Sequence, residues 1–381
     1  MDRTTQSELV ARILDQHASR TTTLAESTMR IPADRYVSEA FLRREQRSFR
    51  RNPAFACLSI DLPEPGDSIP LQIGDVPIVV ARGADGGVRA YVNVCRHRAA
   101  TVVPEPVRGA RSYSCPFHGW VYDVDDGHLV GQPRSCDGFA EVDEGRLGLQ
   151  PLGVGESHGV VVVRAEGDEP VDVDAWLSGL GPELAALDYG SLVPYRRAAK
   201  SWRCNWKLLL DTFLESYHVF ALHKTSLAPF YLGIASPFDA FGPHNRIVVP
   251  QSSILQLAEV PPEDRQLLPH AVLQYFLAPN VIISNLYGYV MTWRFVPDGP
   301  DETIVDHTLY TYVPVETDDD RANFDQRFDA AATVTGNEDF PASEAIHRNL
   351  ASGVTDVTIA GRNEPGMVHF HRMIEDAVSS S

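Results

Sequence analysis

The amino-acid sequence predicts an α+β protein: an N-terminal helical segment, then a small all-β domain, then a larger domain of helices and antiparallel strands. Three observations predict it. Between Pro53 and Arg164, short β-rich runs such as VPIVVAR, GVRAYVNV and HGVVVVRA alternate with turn clusters such as GADGG and VDDGH, the texture of many short strands. Residues 271–313 read as further antiparallel strands, AVLQYFLAPNVIISNLYGYVMTWRFVP and then TIVDHTLYTYVPV. Longer stretches at 202–222 and 318–353 read as helix. The domains are therefore placed at 1–50, 51–165 and 166–381, the β domain being inserted between the other two.

Taken in order, residues 1–45 read as helical with polar faces, broken at Pro32. The β domain follows. Residues 202–222, WRCNWKLLLDTFLESYHVFAL, form the strongest helix candidate in the chain. Residues 224–255 read as loop-rich cover for a pocket, and His244, Asn245 and Arg246 within them read either as surface polarity or as anchors for a substrate carboxylate. The segment from Phe213 to Trp293 is rich in aromatic residues, among them Phe213, Tyr231, Tyr275, Tyr287, Tyr289 and Trp293. Most of these suit a core and a few suit a pocket wall, where they could stack a ring or enclose a quaternary ammonium. The acidic run TDDD caps the helix that begins near residue 318.

The chain of 381 residues, with a formal charge of −18, can bury a sizeable core but lacks the basic stripe that nucleic acid requires. No run approaches the roughly 20 apolar residues needed to span a bilayer, and the N-terminus has no apolar core of signal-peptide length. Five scattered cysteines make no disulfide framework. A reducing, cytoplasmic compartment is the simplest expectation. Cys57, Cys136 and Cys204 read as small buried residues.

The remaining two cysteines stand in CRHRAATVVPEPVRGARSYSCPFHGWVYD, residues 95–123, which pairs Cys95-x-His97 with Cys115-x-x-His118. Structural zinc accepts such a Cys2His2 set. Zinc modules, however, usually pair like ligands, whereas here each loop offers one Cys and one His. That suits a [2Fe–2S] cluster with one iron on two thiolates and the other on two imidazoles, which raises its potential. Spacing alone favours iron–sulfur and leaves zinc open. Arg98 reads equally as a surface charge or a donor near the cluster, and Trp120 and Tyr122 read as packing against the loops.

A second constellation lies in the 202–222 helix candidate. Asp211, Glu215 and His218 are spaced i, i+4 and i+7, on one helix face. His223 lies five residues further, about 140° away on a regular helix. For both histidines to reach one metal, the helix must end or distort near residues 219–222, as a π-type bulge would allow.

At this point the sequence resembles the Rieske non-haem iron oxygenases, the ring-hydroxylating dioxygenase large (alpha) subunits. The run CRHRAA…CPFHGWVYD looks like their cluster signature, with Ala100 and Phe117 standing where respiratory-chain Rieske proteins carry two further, disulfide-bonded cysteines. Asn205-Trp206-Lys207 through His223 resembles the family's iron-binding segment, and TGNEDFPASEAIHRNLASG resembles the segment carrying the third ligand.

The resemblance implies an all-β Rieske domain inserted in a helix-grip-like catalytic domain. It also implies a [2Fe–2S] cluster on Cys95, His97, Cys115 and His118, and a mononuclear Fe(II) on His218, His223 and Asp339, with Glu338 the adjacent competitor. Glu215 stands where many members carry an aspartate that connects subunits, a glutamate being found in branches that act on quaternary ammonium substrates. Asp211 would orient an iron ligand, or is a plain helix charge.

The activity implied is the terminal component of a multicomponent system that activates O2 to hydroxylate an aromatic or related small organic substrate, or that N- or O-demethylates a quaternary ammonium or methoxy compound. Electrons would come from NAD(P)H through a separate ferredoxin or flavin reductase, since no convincing dinucleotide fingerprint is present. A head-to-tail homotrimer, with or without a beta subunit, is implied as well. The rival from another class is an electron carrier without oxygenase activity.

Overall fold

The computed structural model describes residues 1–134, 138–139 and 147–380, and Cys136 lies outside them. The chain divides into two compact units, one of Met1–Glu45, Leu177–Leu187 and Ser191–Ser381, the other of Gln46–Trp176 with Asp188–Gly190. Two of the four crossings fall inside helices α3 (Glu39–Arg51) and α4 (Val173–Leu177), which follow α1 (Arg3–Ala18) and α2 (Asp34–Val37), and the other two flank Asp188–Gly190.

Among its described residues the smaller unit is mainly β. Three three-stranded sheets run in the orders β2-β10-β9, β3-β4-β5 and β6-β7-β8. The first joins β2 (Ala54–Leu58), β9 (Gly153–Ser157) and β10 (Val160–Arg164); the second joins β3 (Ser68–Ile73), β4 (Val76–Arg82) and β5 (Val88–Val92). The third, of β6 (Ser112–Ser114), β7 (Val121–Asp123) and β8 (Leu129–Gly131), carries one of the two cysteine loops on its β6–β7 turn. Cys95 and Cys115 belong to one buried cluster with Val79, Tyr91, Trp120 and Tyr122. Buried Asn93 ties down the chain beyond the first loop: its amide donates to Val103 O at 2.7 Å and its oxygen accepts from Val102 N and Val103 N.

In the larger unit a seven-stranded antiparallel sheet runs β11-β17-β16-β15-β14-β13-β12. The chain forms it from β11 (Val193–Trp202), β12 (Phe238–Phe241), β13 (His244–Pro250), β14 (Ala271–Leu277), β15 (Val281–Leu286), β16 (Tyr289–Pro297) and β17 (Thr303–Thr311). Strands β14 to β16 are buried almost throughout, as runs of Val, Ile, Leu and aromatic residues require. A separate pair joins β1 (Met29–Pro32) to β18 (Val357–Ala360), so a strand occupies the expected helix break at Pro32. Helices α5 (Gly181–Ala185), α6 (Trp206–Asp211), α7 (Val219–Leu222), α8 (Asp318–Val334), α9 (Phe340–Ala351) and α10 (Pro365–Ser379) complete the unit. Thr317 caps α8 with Asp320 in a reciprocal capping box. Fully buried Lys207 lies 2.7 Å from fully buried Glu45, which also accepts from Trp206 Nε1 at 3.1 Å.

Two differences from the sequence expectation shape the site. The 202–222 helix is broken: residues 212–218 are not α-helical, so Asp211, Glu215 and His218 share no continuous helix face. Polar side chains there compete for the backbone. Thr212 Oγ1 donates to Leu209 O at 2.8 Å, the Glu215 carboxylate accepts from the backbone N–H groups of Tyr217 and His218, and Ser216 Oγ donates to Gly233 O at 2.6 Å. Gly366 at the start of α10 packs on this break, where a Cβ would stand 2.3 Å from Leu214 O.

The π-turn lies elsewhere, at Thr335–Asp339 between α8 and α9, with Phe340 N–H bonded back to Thr335 O. Pro341 follows. Its ring lacks an N–H and crowds the carbonyl four residues back, which widens the turn. The 224–255 stretch is also more ordered than expected, since β12 and β13 take much of it.

Candidate metal centres and cavity

The two cysteine loops of the β unit have matching backbones. Cys95 N–H donates to Ala100 O and Cys115 N–H to Trp120 O, both at 2.8 Å; Ala99 and Gly119 each donate back to the cysteine carbonyl at 3.0 Å. Ala99 and Gly119 both have positive φ, 57° and 70°, the conformation needed to reverse the chain within five residues. The two histidine rings meet with centroids 4.6 Å apart, and His97 stacks on Trp120 at 4.8 Å. Tyr122 OH lies 3.2 Å from Cys95 Sγ and accepts from Arg96 N–H at 3.0 Å. His97 Nδ1 is buried without a hydrogen-bond partner among the described residues. Two buried thiols, two converging rings and an orphan ring nitrogen fit a cluster with mixed thiolate and imidazole ligands. Trp120 and Tyr122 therefore touch the His97 and Cys95 side chains directly. Arg98 instead lies over the exposed Phe117 ring, 5.4 Å from its centre.

In the larger unit, His218, His223 and Asp339 bring one atom each to a common point. The two Nε2 atoms are 3.2 Å apart, and Asp339 Oδ1 lies 3.1 Å from that of His223 and 3.4 Å from that of His218. Ligands about 2.1 Å from a metal and mutually perpendicular stand about 3.0 Å apart, so the three fit one face of a six-coordinate ion. Both outer ring nitrogens are held by carboxylates: His218 Nδ1 donates to Glu215, and His223 Nδ1 donates to Glu338 at 2.7 Å. Such carboxylate–histidine pairs fix the tautomer that leaves Nε2 free for a metal. Burial opposes charge on His218, but the Asp339 and Glu215 hydrogen bonds outweigh it and raise its pKa to about 10. Burial likewise opposes charge on Asp339, and the two histidines hold its pKa below the usual carboxylate value. The point where the three meet attracts positive charge.

Asp339 is the carboxylate at this point, and Glu338 lies on the far edge of the His223 ring. Asp211 is not brought there. It accepts from His371 Nε2 at 2.9 Å and from Tyr36 OH at 3.1 Å, and so ties α10 and α2 to the end of α6. His244, Asn245 and Arg246 are not surface loop either: they are buried on β13, where Arg246 pairs with Glu183 and Asp239. The roles of Glu338 and of the α8 face went unread in the sequence. The signal for the α8 face was a three- and four-residue repeat of small and polar side chains rather than apolar ones.

A cavity of about 560 Å³ opens on the triad. Phe213, Tyr231, Tyr289 and Trp293 are the aromatic members of its wall, while Tyr275 and Phe276 are core and Phe220, Phe230 and Tyr287 are exposed. The arrangement can hold an ion with open positions facing a largely apolar chamber.

Known proteins resemble this chain in sequence and in fold. The family model "ring hydroxylating alpha subunit (catalytic domain)" matches residues 187–380, and the Rieske [2Fe-2S] domain model matches residues 52–141. The chain is 27% identical to the anthranilate 1,2-dioxygenase large subunit of Burkholderia cepacia over 71% of its own length and 72% of that protein. It is 26% identical to the chloroplastic choline monooxygenase of Beta vulgaris over 93% of its length and 78% of the relative's. In fold it superposes on the quaternary ammonium Rieske monooxygenase CntA with a TM-score of 0.78 at 19% identity, covering 93% and 96% of the two chains. The chain thus belongs to the ring-hydroxylating alpha-subunit family and is an oxygenase of the Rieske type, a class built around a [2Fe–2S] cluster and a mononuclear iron.

Proposed function

We propose that this chain is the terminal oxygenase of a multicomponent system, hydroxylating an aromatic or related small organic substrate in the breakdown of such compounds. Cys95, His97, Cys115 and His118 would hold the cluster, and His218, His223 and Asp339 the iron. The observation that carries the reading is the convergence of two imidazole Nε2 atoms and one carboxylate oxygen on the wall of a 560 Å³ chamber. When bound, the iron supplies the centre at which O2 is activated, and the cluster supplies electrons one at a time. Glu215 and Glu338 keep both ring nitrogens aimed at the centre. Leu227, Val249, Val272 and Met291 keep water from the reacting carbon, and Gln274, which donates to Phe213 O at 2.8 Å, holds the aromatic wall in place.

Electrons would arrive from NAD(P)H through a separate ferredoxin or flavin reductase. Exposed Tyr217, Phe220, Phe230 and Ile234 follow Glu215 closely along the chain. That apolar surface supports a head-to-tail trimer in which Glu215 faces a neighbour's cluster, with or without a beta subunit. Among the described residues no helix is long and apolar enough to cross a membrane; a cytoplasmic setting is part of the proposal.

A second reading, demethylation of a quaternary ammonium or methoxy compound, is favoured by Glu215 in place of aspartate and by the aromatic lining of Tyr231, Tyr289 and Trp293. Reductase-coupled O2 uptake across aromatic acids and quaternary amines, with formaldehyde assayed, tests both. Ring hydroxylation releases none and demethylation releases one per turnover. His218→Ala should abolish turnover while leaving the cluster spectrum intact; full activity in that variant would reduce the chain to an electron carrier.

A further inference from the structure

This inference rests on the oxygenase reading and concerns which end of the substrate the cavity holds. One face of α8 forms a wall of the chamber, with Asn323, Gln326, Arg327, Ala330, Ala331 and Val334 at three- and four-residue spacing. The wall changes character along its length. Near Thr335 and Asp339 it is small and apolar; at Asn323, Gln326 and Arg327 it is polar and exposed, so this end is the mouth. Apart from the two histidines of the metal centre, Arg327 is the one basic side chain among the described lining residues.

Its guanidinium sits 4.8 Å from the centre of the Tyr289 ring, and its Nε donates to Asn323 Oδ1 at 3.1 Å. Nearby arginines are neutralised. Arg196 takes Asp325 and Asp329, and Arg321 takes Asp318. Among the described residues no carboxylate pairs with Arg327. The Tyr289 ring below it, the Tyr289 hydroxyl that takes a hydrogen bond from it and the Asn323 amide beside it orient the guanidinium, whose remaining N–H donors can meet an incoming carboxylate.

We infer that Arg327 is a specificity residue that binds the carboxylate of an acidic substrate at the cavity mouth, while the substrate's other end reaches the metal centre. Roughly 18 Å of helix separates Arg327 from Asp339 at 1.5 Å per residue. The anchored group is therefore not the one that reacts, and an acid with its carboxylate next to the reacting carbon is too short to use both. The shared chemistry is a carboxylate several bonds from either an aromatic ring or a trimethylammonium group.

The test is anaerobic calorimetric titration of the metal-loaded oxygenase. One arm pairs 3-phenylpropanoate with 3-phenylpropan-1-ol, with benzoate as a length control. The other pairs 4-trimethylammoniobutanoate with the corresponding alcohol. In the arm matching the true substrate, the acid should bind about 10- to 100-fold tighter than its alcohol, the range of one charge-assisted hydrogen-bonded pair, and benzoate should bind weakly. Arg327→Met should erase that preference without weakening the alcohol, and Arg327→Glu should reverse it. If neither arm favours its acid, or Arg327→Met keeps the preference, the assignment is wrong. Because no O2 is involved in the titration, intact acid selectivity without turnover in air when a reductase and NADH supply electrons would sink the oxygenase reading alone. Turnover without acid selectivity would sink only the role of Arg327.

Discussion

Glu338 accepts a 2.7 Å hydrogen bond from Nδ1 of His223, on the edge of the ring opposite the Nε2 that meets Asp339. Two adjacent carboxylates thus serve one imidazole from its two sides, and Ser226 Oγ steadies Glu338 at 2.8 Å. Asp339→Ala should leave the chain without mononuclear iron after gel filtration. Glu338→Gln should keep iron but weaken its affinity about 10- to 100-fold, as the loss of an outer carboxylate partner does elsewhere. Iron per chain, read beside an unchanged cluster spectrum, checks both. The opposite ranking of the two variants would exchange their roles.

Glu215 holds His218 Nδ1 and also accepts from the backbone N–H groups of Tyr217 and His218. One side chain therefore shapes the break and orients the His218 ring. Glu215→Gln can still accept those backbone bonds, so the fold and both metals should remain. Stopped-flow oxidation of the reduced cluster should then slow at least tenfold relative to the parent. Complete loss of iron in Glu215→Gln would show that the negative charge itself holds the site together.

Tyr122 OH sits 3.2 Å from Cys95 Sγ. A hydroxyl donating to a cluster thiolate stabilises the reduced, more negative state, so it raises the reduction potential. Tyr122→Phe should lower the potential by some tens of millivolts, about 1 kcal/mol for one electron. Redox titration followed by electron paramagnetic resonance measures it. A potential that rises or stays put would mean that the hydroxyl serves only the Arg96 backbone.

The two cysteine loops could be read from the chain because Cys95, His97, Cys115 and His118 lie within 24 residues and each loop closes on its own backbone, as Cys95–Ala100 and Cys115–Trp120 do. The strands from Ala271 to Thr311 were equally open to reading, being local runs of buried β-formers. The break at 212–218 was not. It depends on Thr212, Glu215 and Ser216 turning onto the backbone, and on Gly366 arriving from far along the chain to pack against Leu214 O. The same holds for Arg246, whose polarity suggests surface until Glu183 and Asp239 are seen to neutralise it in the interior. The choice between Asp339 and Glu338 turned on a π-turn whose local cause, Pro341, was visible but whose effect on side-chain direction was not.

His307 links the cavity wall to stability. Its ring stacks on Trp293 at 3.7 Å and on Phe328 at 4.3 Å, and it is 4% exposed. Burial, and after it the charge of Arg196, lowers its pKa to about 3. Its Nε2 has no hydrogen-bond partner among the described residues, as suits a neutral ring used as a flat spacer. Unfolded, the same ring titrates near the ordinary histidine value of about 6.5. Between those two values the unfolded chain holds a proton that the native chain does not, so stability falls as pH drops from about 6.5 toward 3, by up to about 1.4 kcal/mol per unit for this one group. His307→Phe keeps the stack and removes the proton. Its urea midpoint should match or exceed the parent's at pH 7, and the gap should widen steadily toward pH 5. Parallel curves for the two proteins would mean that His307 is protonated within the fold. The stack would then be a cation held between rings rather than a neutral wall behind Trp293.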